Sequence, residues 1–258
     1  MVRRRSPALR GWATVARHAS KEIPSTQARA LELAREGAAP GTRLVAETQT
    51  GGMGREGRSW ASPPGGVYLS IVLRPPPVGG ALLSLAIGSE LAIELRALTG
   101  AVLRLKWPND LVAPRPGRSP GKVAGILVDT VQGVDGPRTV VGVGVNVASR
   151  RDDFPVALRE GVATLHELAS RRISVPEAEE AVVRAVERAL VSIASASGRA
   201  KVVRGVRARL YGRGGRVRLD GQEFGILEGI NADGTLAVLG PTGRRELRSG
   251  EVTIEEPA

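Results

Sequence analysis

Residues 49–60 read QTGGMGREGRSW, a glycine-rich loop with two arginines that closes on a tryptophan. Gly51, Gly52, Gly54 and Gly57 let the backbone fold tightly around a bound group, because glycine lacks Cβ and tolerates positive φ. Arg55 and Arg58 bring guanidinium forks suited to phosphate or carboxylate, and Trp60 offers a flat face for stacking. The stretch therefore reads as a wrap for a small anionic ligand. The same residue types also suit a basic surface loop, so its neighbours must decide.

Working outward, RLVAET (43–48) predicts a strand that leads into the loop, and Ser25 caps a helix running to about residue 36. VYLSIVL (67–73) is a second strand, ended by Pro75, Pro76 and Pro77. LLSLAIGSELAIELRAL (82–98) fits a largely buried helix. Strands are expected at 102–106, 122–130 and 138–148, with a tight turn in QGVDGP and a looser loop in PRPGRSPG (114–121). Helices are expected at 176–196 and 199–211, the first starting near Ser174 or Pro176. This mixture predicts an α+β layer architecture. From about residue 212 the pattern changes to short strands separated by Asp220-Gly221, Asp233-Gly234 and Pro241-Thr242-Gly243, which predicts a small β-barrel. The chain thus divides into residues 1–211 and 212–258.

Composition narrows the function classes. The 258 residues hold 42% apolar side chains but only 3% aromatics, so the core must be built from Ala, Val, Leu and Ile. The absence of cysteine removes disulfides, thiolate metal sites and thiol nucleophiles, and suits a cytoplasmic enzyme. No apolar run is long enough to span a membrane, and the basic start lacks the apolar core of a secretory signal. The net charge of +11 invites nucleic acid as a partner. However, the arginines are spread widely, and the basic run at 199–218 reads first as a solvated helix face.

Three further stretches carry chemistry. KWPNDL (106–111) closes a strand with a turn presenting Lys106, Asn109 and Asp110. An amide and a carboxylate there either form an ordinary turn or face a nucleotide and its Mg²⁺, with Asp110 as a metal ligand. GKVAGILVD (121–129) places Lys122 at the start of an apolar strand. Strict alternation puts Lys122, Ala124 and Ile126 on one face, and Val123, Gly125 and Leu127 on the other. It is not a Walker loop: only three residues separate Gly117 from Gly121-Lys122, and Val123 stands where Ser or Thr is required. VVGVGVNV (140–147) is a strand whose glycines imply close approach to its backbone, and Asn146 at its end either contacts a nucleotide or caps the strand.

Taken in order and spacing, Ser25-Thr26, QTGGMGREGRSW, KWPNDL, GKVAGILVD and GVGVNV resemble the biotin protein ligase family over most of the chain. The resemblance implies a class II synthetase-like catalytic fold, a mixed sheet with helices, followed by a small SH3-like β-barrel. It also implies a two-step reaction: biotin and ATP give biotinyl-5′-AMP and pyrophosphate, and a lysine of a biotin carboxyl carrier protein then displaces AMP. On this reading Ser25, Thr26, Gln49 and Gly52 line the biotin site, with the backbone of Gly125 and Leu127 against the ligand. Arg55 and Arg58 hold phosphate oxygens, Trp60 and Asn146 flank the adenine, and Asn109 and Asp110 face the triphosphate and Mg²⁺. Lys122 lies between the biotin carboxylate and the α-phosphate, and with Arg55 and Arg58 carries the catalysis.

Two departures stand out. The family loop reads G-R-G-R-x-G-R-x-W, whereas here Met53 replaces the first arginine and Glu56 fills the variable position, so weaker retention of the adenylate is expected. Some members carry an N-terminal helix-turn-helix domain; about two dozen residues precede Ser25-Thr26 here, so a monofunctional ligase without operator binding is expected, with a homodimer through the catalytic sheet. The competing readings are a lipoate or octanoate ligase of the same fold and a basic nucleic-acid-binding relative that has lost catalysis.

Overall fold

The computed structural model describes residues 15–115, 118–250 and 252–255. The basic start of the chain and Gly117 lie outside the described residues. Chain order is β1 (Arg17–Ile23), α1 (Thr26–Arg35), β2 (Arg43–Gln49), β3 (Gly66–Leu73), α2 (Gly80–Thr99), β4 (Arg104–Lys106), β5 (Asp110–Ala113), β6 (Gly121–Gly133) and β7 (Gly136–Asn146). Three helices follow, α3 (Leu165–Leu168), α4 (Val175–Ile193) and α5 (Ala196–Arg209). The chain then enters β8 (Arg216–Leu219), β9 (Gln222–Ile230), β10 (Leu236–Gly240), β11 (Gly243–Leu247) and β12 (Val252–Glu255).

The first seven strands make one mixed sheet in the order β1-β2-β3-β7-β6-β5-β4, parallel between β1 and β2 and antiparallel elsewhere. Strand β1 was not expected, because RHASKEI carries no apolar alternation; it lies at the sheet edge with its side chains mostly exposed. Strand β5 also escaped the sequence reading: DLVA is too short to show a period. The tight turn expected in QGVDGP is the two-residue link between β6 and β7.

Helix α1 packs on one face of the sheet and α2 on the other, with α4 and α5 outside α2. Sandwiched in this way, α2 is apolar around most of its circumference, and only its C-terminal half leaves side chains such as Ile93 and Arg96 exposed. Its Gly88 lets helix and sheet touch, since a Cβ there would lie 2.7 Å from Leu105 Cδ2. Glu94 of α2 is 8% exposed and holds both Arg184 at 2.8 Å and Arg188 at 3.0 Å, so α4 is tied down by a doubly paired acid. Ser174 caps α4 reciprocally with Glu177.

The last five strands form an antiparallel sheet in the order β11-β10-β9-β8-β12, the β-rich unit expected from the sequence. Asp220 (φ 50) and Gly221 (φ 80) make the left-handed two-residue turn between β8 and β9. This second sheet shares one continuous apolar core with the first. The Trp107 indole, 1% exposed, donates to the Gly234 carbonyl at 3.0 Å, and Arg207 of α5 donates through Nη2 to the Ile230 carbonyl at 2.6 Å. In the basic run, Arg199, Arg209 and Arg213 also donate to carbonyls and Arg218 pairs with Glu255. Much of that charge therefore staples the chain. No helix among the described residues is long and apolar enough to cross a membrane.

Candidate active site

The glycine loop folds as a miniature hairpin across the open face of the large sheet. Trp60 N–H donates to the Gly52 carbonyl at 2.8 Å and Gly54 N–H to the Arg58 carbonyl at 2.6 Å. Gly52 is required by this closure, since a Cβ there would meet the Trp60 carbonyl at 2.4 Å. At the tip Glu56 adopts φ 55, a left-handed backbone, and its carboxylate lies 3.6 Å from Arg55 Nη2 and 3.9 Å from Arg58 Nη2. The hairpin roofs a cavity of about 250 Å³ whose wall includes Thr26, Gln49, Arg55, Arg58, Lys122 and Leu127.

The floor is a connected polar network. Gln49 Oε1 accepts from Thr26 N–H at 2.8 Å and from its hydroxyl at 3.0 Å, while Gln49 Nε2 donates to Ser62 Oγ at 2.8 Å. The single Ser70 hydroxyl proton is shared between Thr26 Oγ1 and Gln27 Oε1, each 3.0 Å away, and Gln27 Nε2 donates to Asp129 at 2.8 Å. Satisfied buried networks of this kind hold their members in one geometry. Ser25 stands behind Thr26, its Oγ accepting from Ala28 N–H as the cap of α1. The Tyr68 phenol also lines the cavity, and burial holds it well above its ordinary pKa, so it is a neutral wall.

Close approach explains the strand glycines. A Cβ at Gly144 would lie 2.5 Å from Trp60 Cε2, one at Gly125 2.7 Å from Trp60 Cζ3, and one at Gly142 2.5 Å from Gln27 Oε1. The indole therefore lies flat on β6 and β7.

Lys122 is not where alternation put it. The β5–β6 register pairs Leu111 with Ala124 but Val112 with Lys122, so Val123 is an extra residue in a bulge. The bulge brings Lys122 round to the face shared by Gly125 and Leu127, while Ala124 and Ile126 turn into the core. Its ammonium lies 2.9 Å from Asp110 Oδ2 and 5.0 Å from the centre of the Trp60 ring. Its backbone leaves β7 and pairs instead with the 161–163 segment, Lys122 N–H to the Gly161 carbonyl at 2.6 Å and Ala163 N–H back at 2.9 Å.

The other motif residues serve two purposes. Asn109 Nδ2 donates to the Ile126 carbonyl at 2.9 Å and Asn146 Nδ2 to the Lys122 carbonyl at 3.0 Å, so both amides brace β6. Asp110 Oδ1 and Asn146 Oδ1 are buried and have no hydrogen-bond partner, which leaves each an acceptor for a ligand. Asn146 lines a second cavity of about 490 Å³, with Lys106, Phe154 and Ile254. The two cavities share Ser59, Trp60, Asp110, Lys122 and Leu158. No group of three or more His, Asp or Glu residues able to hold a metal is present among the described residues.

Sequence reasoning missed Gln27, Ser62, Ser70 and the 154–163 wall. Ser70 carried a usable signal, being a hydroxyl inside the fully buried strand VYLSIVL. The 154–163 segment carries no motif; it is held in place partly by Arg115, which donates to the Glu160 carbonyl at 2.7 Å and to the Val162 carbonyl at 2.5 Å.

The chain is similar to known proteins. The model of the biotin/lipoate A/B protein ligase family matches residues 19–146. The biotin–[acetyl-CoA-carboxylase] ligase of Paracoccus denitrificans is 32% identical over 241 residues, covering 88% of this chain and 96% of that protein. The bifunctional ligase/repressor BirA of Bacillus spizizenii is 36% identical over 155 residues, which are 58% of this chain and 46% of BirA, so this match spans about half the length of that relative. Among solved structures, the biotin protein ligase from Aquifex aeolicus in complex with biotin and ATP superposes with a TM-score of 0.79 at 29% identity, covering 94% of this chain and 99% of that one. With its glycine hairpin, bulged lysine strand and near full-length counterparts, the chain belongs to the biotin/lipoate A/B protein ligase family.

Proposed function

We propose that this protein activates biotin as biotinyl-5′-AMP and transfers it to a lysine of a biotin carboxyl carrier domain. The observation that carries the reading is that Lys122 lies where the two cavities meet. One cavity has a neutral polar floor at Thr26, Gln49 and Ser70 and cations at its mouth, matching a ureido ring at one end and a carboxylate at the other. The second has aromatic and apolar walls and the open acceptor of Asn146, matching a nucleotide base. Their junction is where the two substrates react.

A biotin carboxylate oxygen forms a bond to the α-phosphorus, the bridging bond to the β-phosphate breaks, and pyrophosphate leaves. Two anions must approach for this, and the Lys122 ammonium, with Arg55 and Arg58, offsets their repulsion. The carrier lysine, as a neutral amine, then attacks the acyl carbon, and AMP departs with the bonding pair. The hairpin roof keeps water from the mixed anhydride between the steps. Asp110 Oδ1, buried and without a partner, would be the carboxylate contact to a Mg²⁺ ion. When bound, the ion supplies further positive charge to the phosphate oxygens. We assign residues 1–211 to the catalytic unit and 212–258 to an appended unit, which adds Thr253 and Ile254 to the second cavity.

The test is mass spectrometry of the protein incubated with biotin, ATP and Mg²⁺, beside a Lys122→Ala control and a lipoate competition. Biotinyl-AMP from the native protein supports the reading. Adenylate formed from lipoate in preference to biotin would reassign the substrate, and no adenylate from either would end the proposal.

A further inference from the structure

The wall of the second cavity has no core anchor of its own between Phe154 and Ala163. Residues 155–162 are all exposed or half-buried, and their one regular feature is a short helical turn at Val156–Leu158. A segment with so little apolar contact opens easily unless polar bonds hold it. Here they do. Four successive carbonyls each accept a bond, three of them from arginine side chains. Arg151 donates to the Arg159 carbonyl at 2.6 Å, and Arg115 to those of Glu160 at 2.7 Å and Val162 at 2.5 Å. The remaining carbonyl, of Gly161, accepts from Lys122 N–H at 2.6 Å.

The two Arg115 bonds therefore straddle the peptide group to which the Lys122 backbone is fastened. A planar guanidinium can span two acceptors on one side of a chain, which an ammonium cannot. Arg115 is itself held: its side chain is 23% exposed, and Nη2 lies 4.0 Å from Glu167, whose carboxylate also accepts from Thr164 N–H at 3.1 Å. Gly121 leaves room for the clamp, since a Cβ there would lie 2.5 Å from Arg115 Nη2. On the other side, Ala163 N–H returns to the Lys122 carbonyl at 2.9 Å. Wall and lysine strand are thus joined by a two-bond bridge, and Arg115 grips that bridge from outside.

We propose that Arg115 is a positioning residue for adenylate formation, acting on the nucleotide and on Lys122 through the 160–163 backbone. This rests on the adenylation reading above. Arg115 lines neither cavity, so its effect is indirect. In one direction it sets Leu158, Gly161 and Val162 against the nucleotide space. In the other it keeps the Gly161 carbonyl on Lys122 N–H and so secures the bulge that aims the ammonium at the junction. The polar floor of the first cavity, at Thr26, Gln49 and Ser70, is bonded through other partners, so biotin binding does not depend on the clamp.

The experiment compares the native chain, Arg115→Ala and Arg115→Lys. Single-turnover adenylate formation is followed at saturating biotin over a range of ATP, biotin is titrated calorimetrically, and hydrogen exchange across 154–163 is read by mass spectrometry in the ligand-free protein. Arg115→Ala should raise the half-saturating ATP concentration about tenfold and lower the limiting rate about tenfold, with biotin affinity unchanged. Exchange across 154–163 should quicken by about tenfold or more. Arg115→Lys should recover part of each loss, because its ammonium reaches one carbonyl at a time; this variant also decides the matter if the alanine protein fails to fold. Unchanged ATP dependence and rate would overturn the proposal, as would biotin affinity falling in step with ATP, which marks a general loosening. Full recovery by lysine would overturn the two-carbonyl clamp. Absence of adenylate from the native chain would count against the ligase reading instead, and unchanged exchange in Arg115→Ala would still refute the clamp.

Discussion

The Lys122 ammonium lies 2.9 Å from Asp110 Oδ2, across the β5–β6 bulge that turns the lysine toward the cavities. Asp110 Oδ1 has no partner, so the carboxylate spends one oxygen on the lysine and keeps the other open. The pair orients the ammonium without enclosing it: the lysine side chain stays 38% exposed, accessible to an incoming anion.

Lys122→Ala should lower the single-turnover rate of adenylate formation by ~10²–10³. Asp110→Asn should cost less, because the ammonium survives and loses only its orientation. The two changes should be non-additive, since they share one interaction. Rates from rapid-quench experiments on both single variants and the double variant check this; fully additive losses would show that the pair does not work as a unit.

Met53, 43% exposed in the hairpin roof, places a thioether where an arginine would add charge, and Glu56 sets a carboxylate against Arg55 and Arg58. Either Met53→Arg or Glu56→Asn should slow release of biotinyl-AMP, by roughly 3- to 10-fold each, as expected for partly exposed ionic contacts. Asparagine is chosen because it tolerates the left-handed backbone at φ 55. Release is followed by filter retention of labelled adenylate; unchanged retention in both variants would remove the electrostatic argument.

Gly144→Ala introduces a Cβ 2.5 Å from Trp60 Cε2. Overpacking of this kind costs about 1–3 kcal/mol, which for a chain of this size lowers the melting temperature by a few degrees. It should also weaken nucleotide binding, because Trp60 lines both cavities. A Trp60→Ala background should abolish the thermal penalty, and a penalty that persists there would mean the glycine serves some other contact.

Glu177 offers a pH test away from the site. Hydrogen bonds from Ser174 N–H and Oγ, then the bond to Arg171, hold its carboxyl at about 2, below its ordinary 4.5. A carboxylate depressed on folding adds stability at pH above the unfolded value, and that contribution fades as pH falls from about 4.5 through about 2. Ser174→Ala should therefore return the Glu177 titration, followed by NMR, towards 4.5 and flatten the acid limb of the stability curve. A titration midpoint unmoved in the variant would assign the shift elsewhere.

Much of this molecule is legible in its sequence. Ser25 and Ser174 mark helix starts because a hydroxyl bonding the N–H three residues on is a local event. Buried α2 and the β6–β7 hairpin follow from composition and period over single stretches, and the chemistry of the motifs shows in their residue types. Lys122 is the instructive failure. Its alternation pattern is sound, yet one extra residue at Val123 reverses its side, because a period of two changes face with every inserted residue. That bulge is held by partners the local pattern does not contain: β5, the 161–163 backbone and Asn146.

By itself, then, the sequence determined the elements other than β1 and β5, the family and the inventory of reactive groups, which depend on neighbours within a few residues. Only the tertiary structure decided which groups converge. It placed Ser70 under Thr26, set Trp60 against Gly125 and Gly144, and brought Ile254 to the second cavity. Convergence depends on strand register and on long-range hydrogen bonds, and those join residues more than a hundred positions apart, as Gln27 with Asp129 and Trp107 with Gly234, where no local pattern reaches.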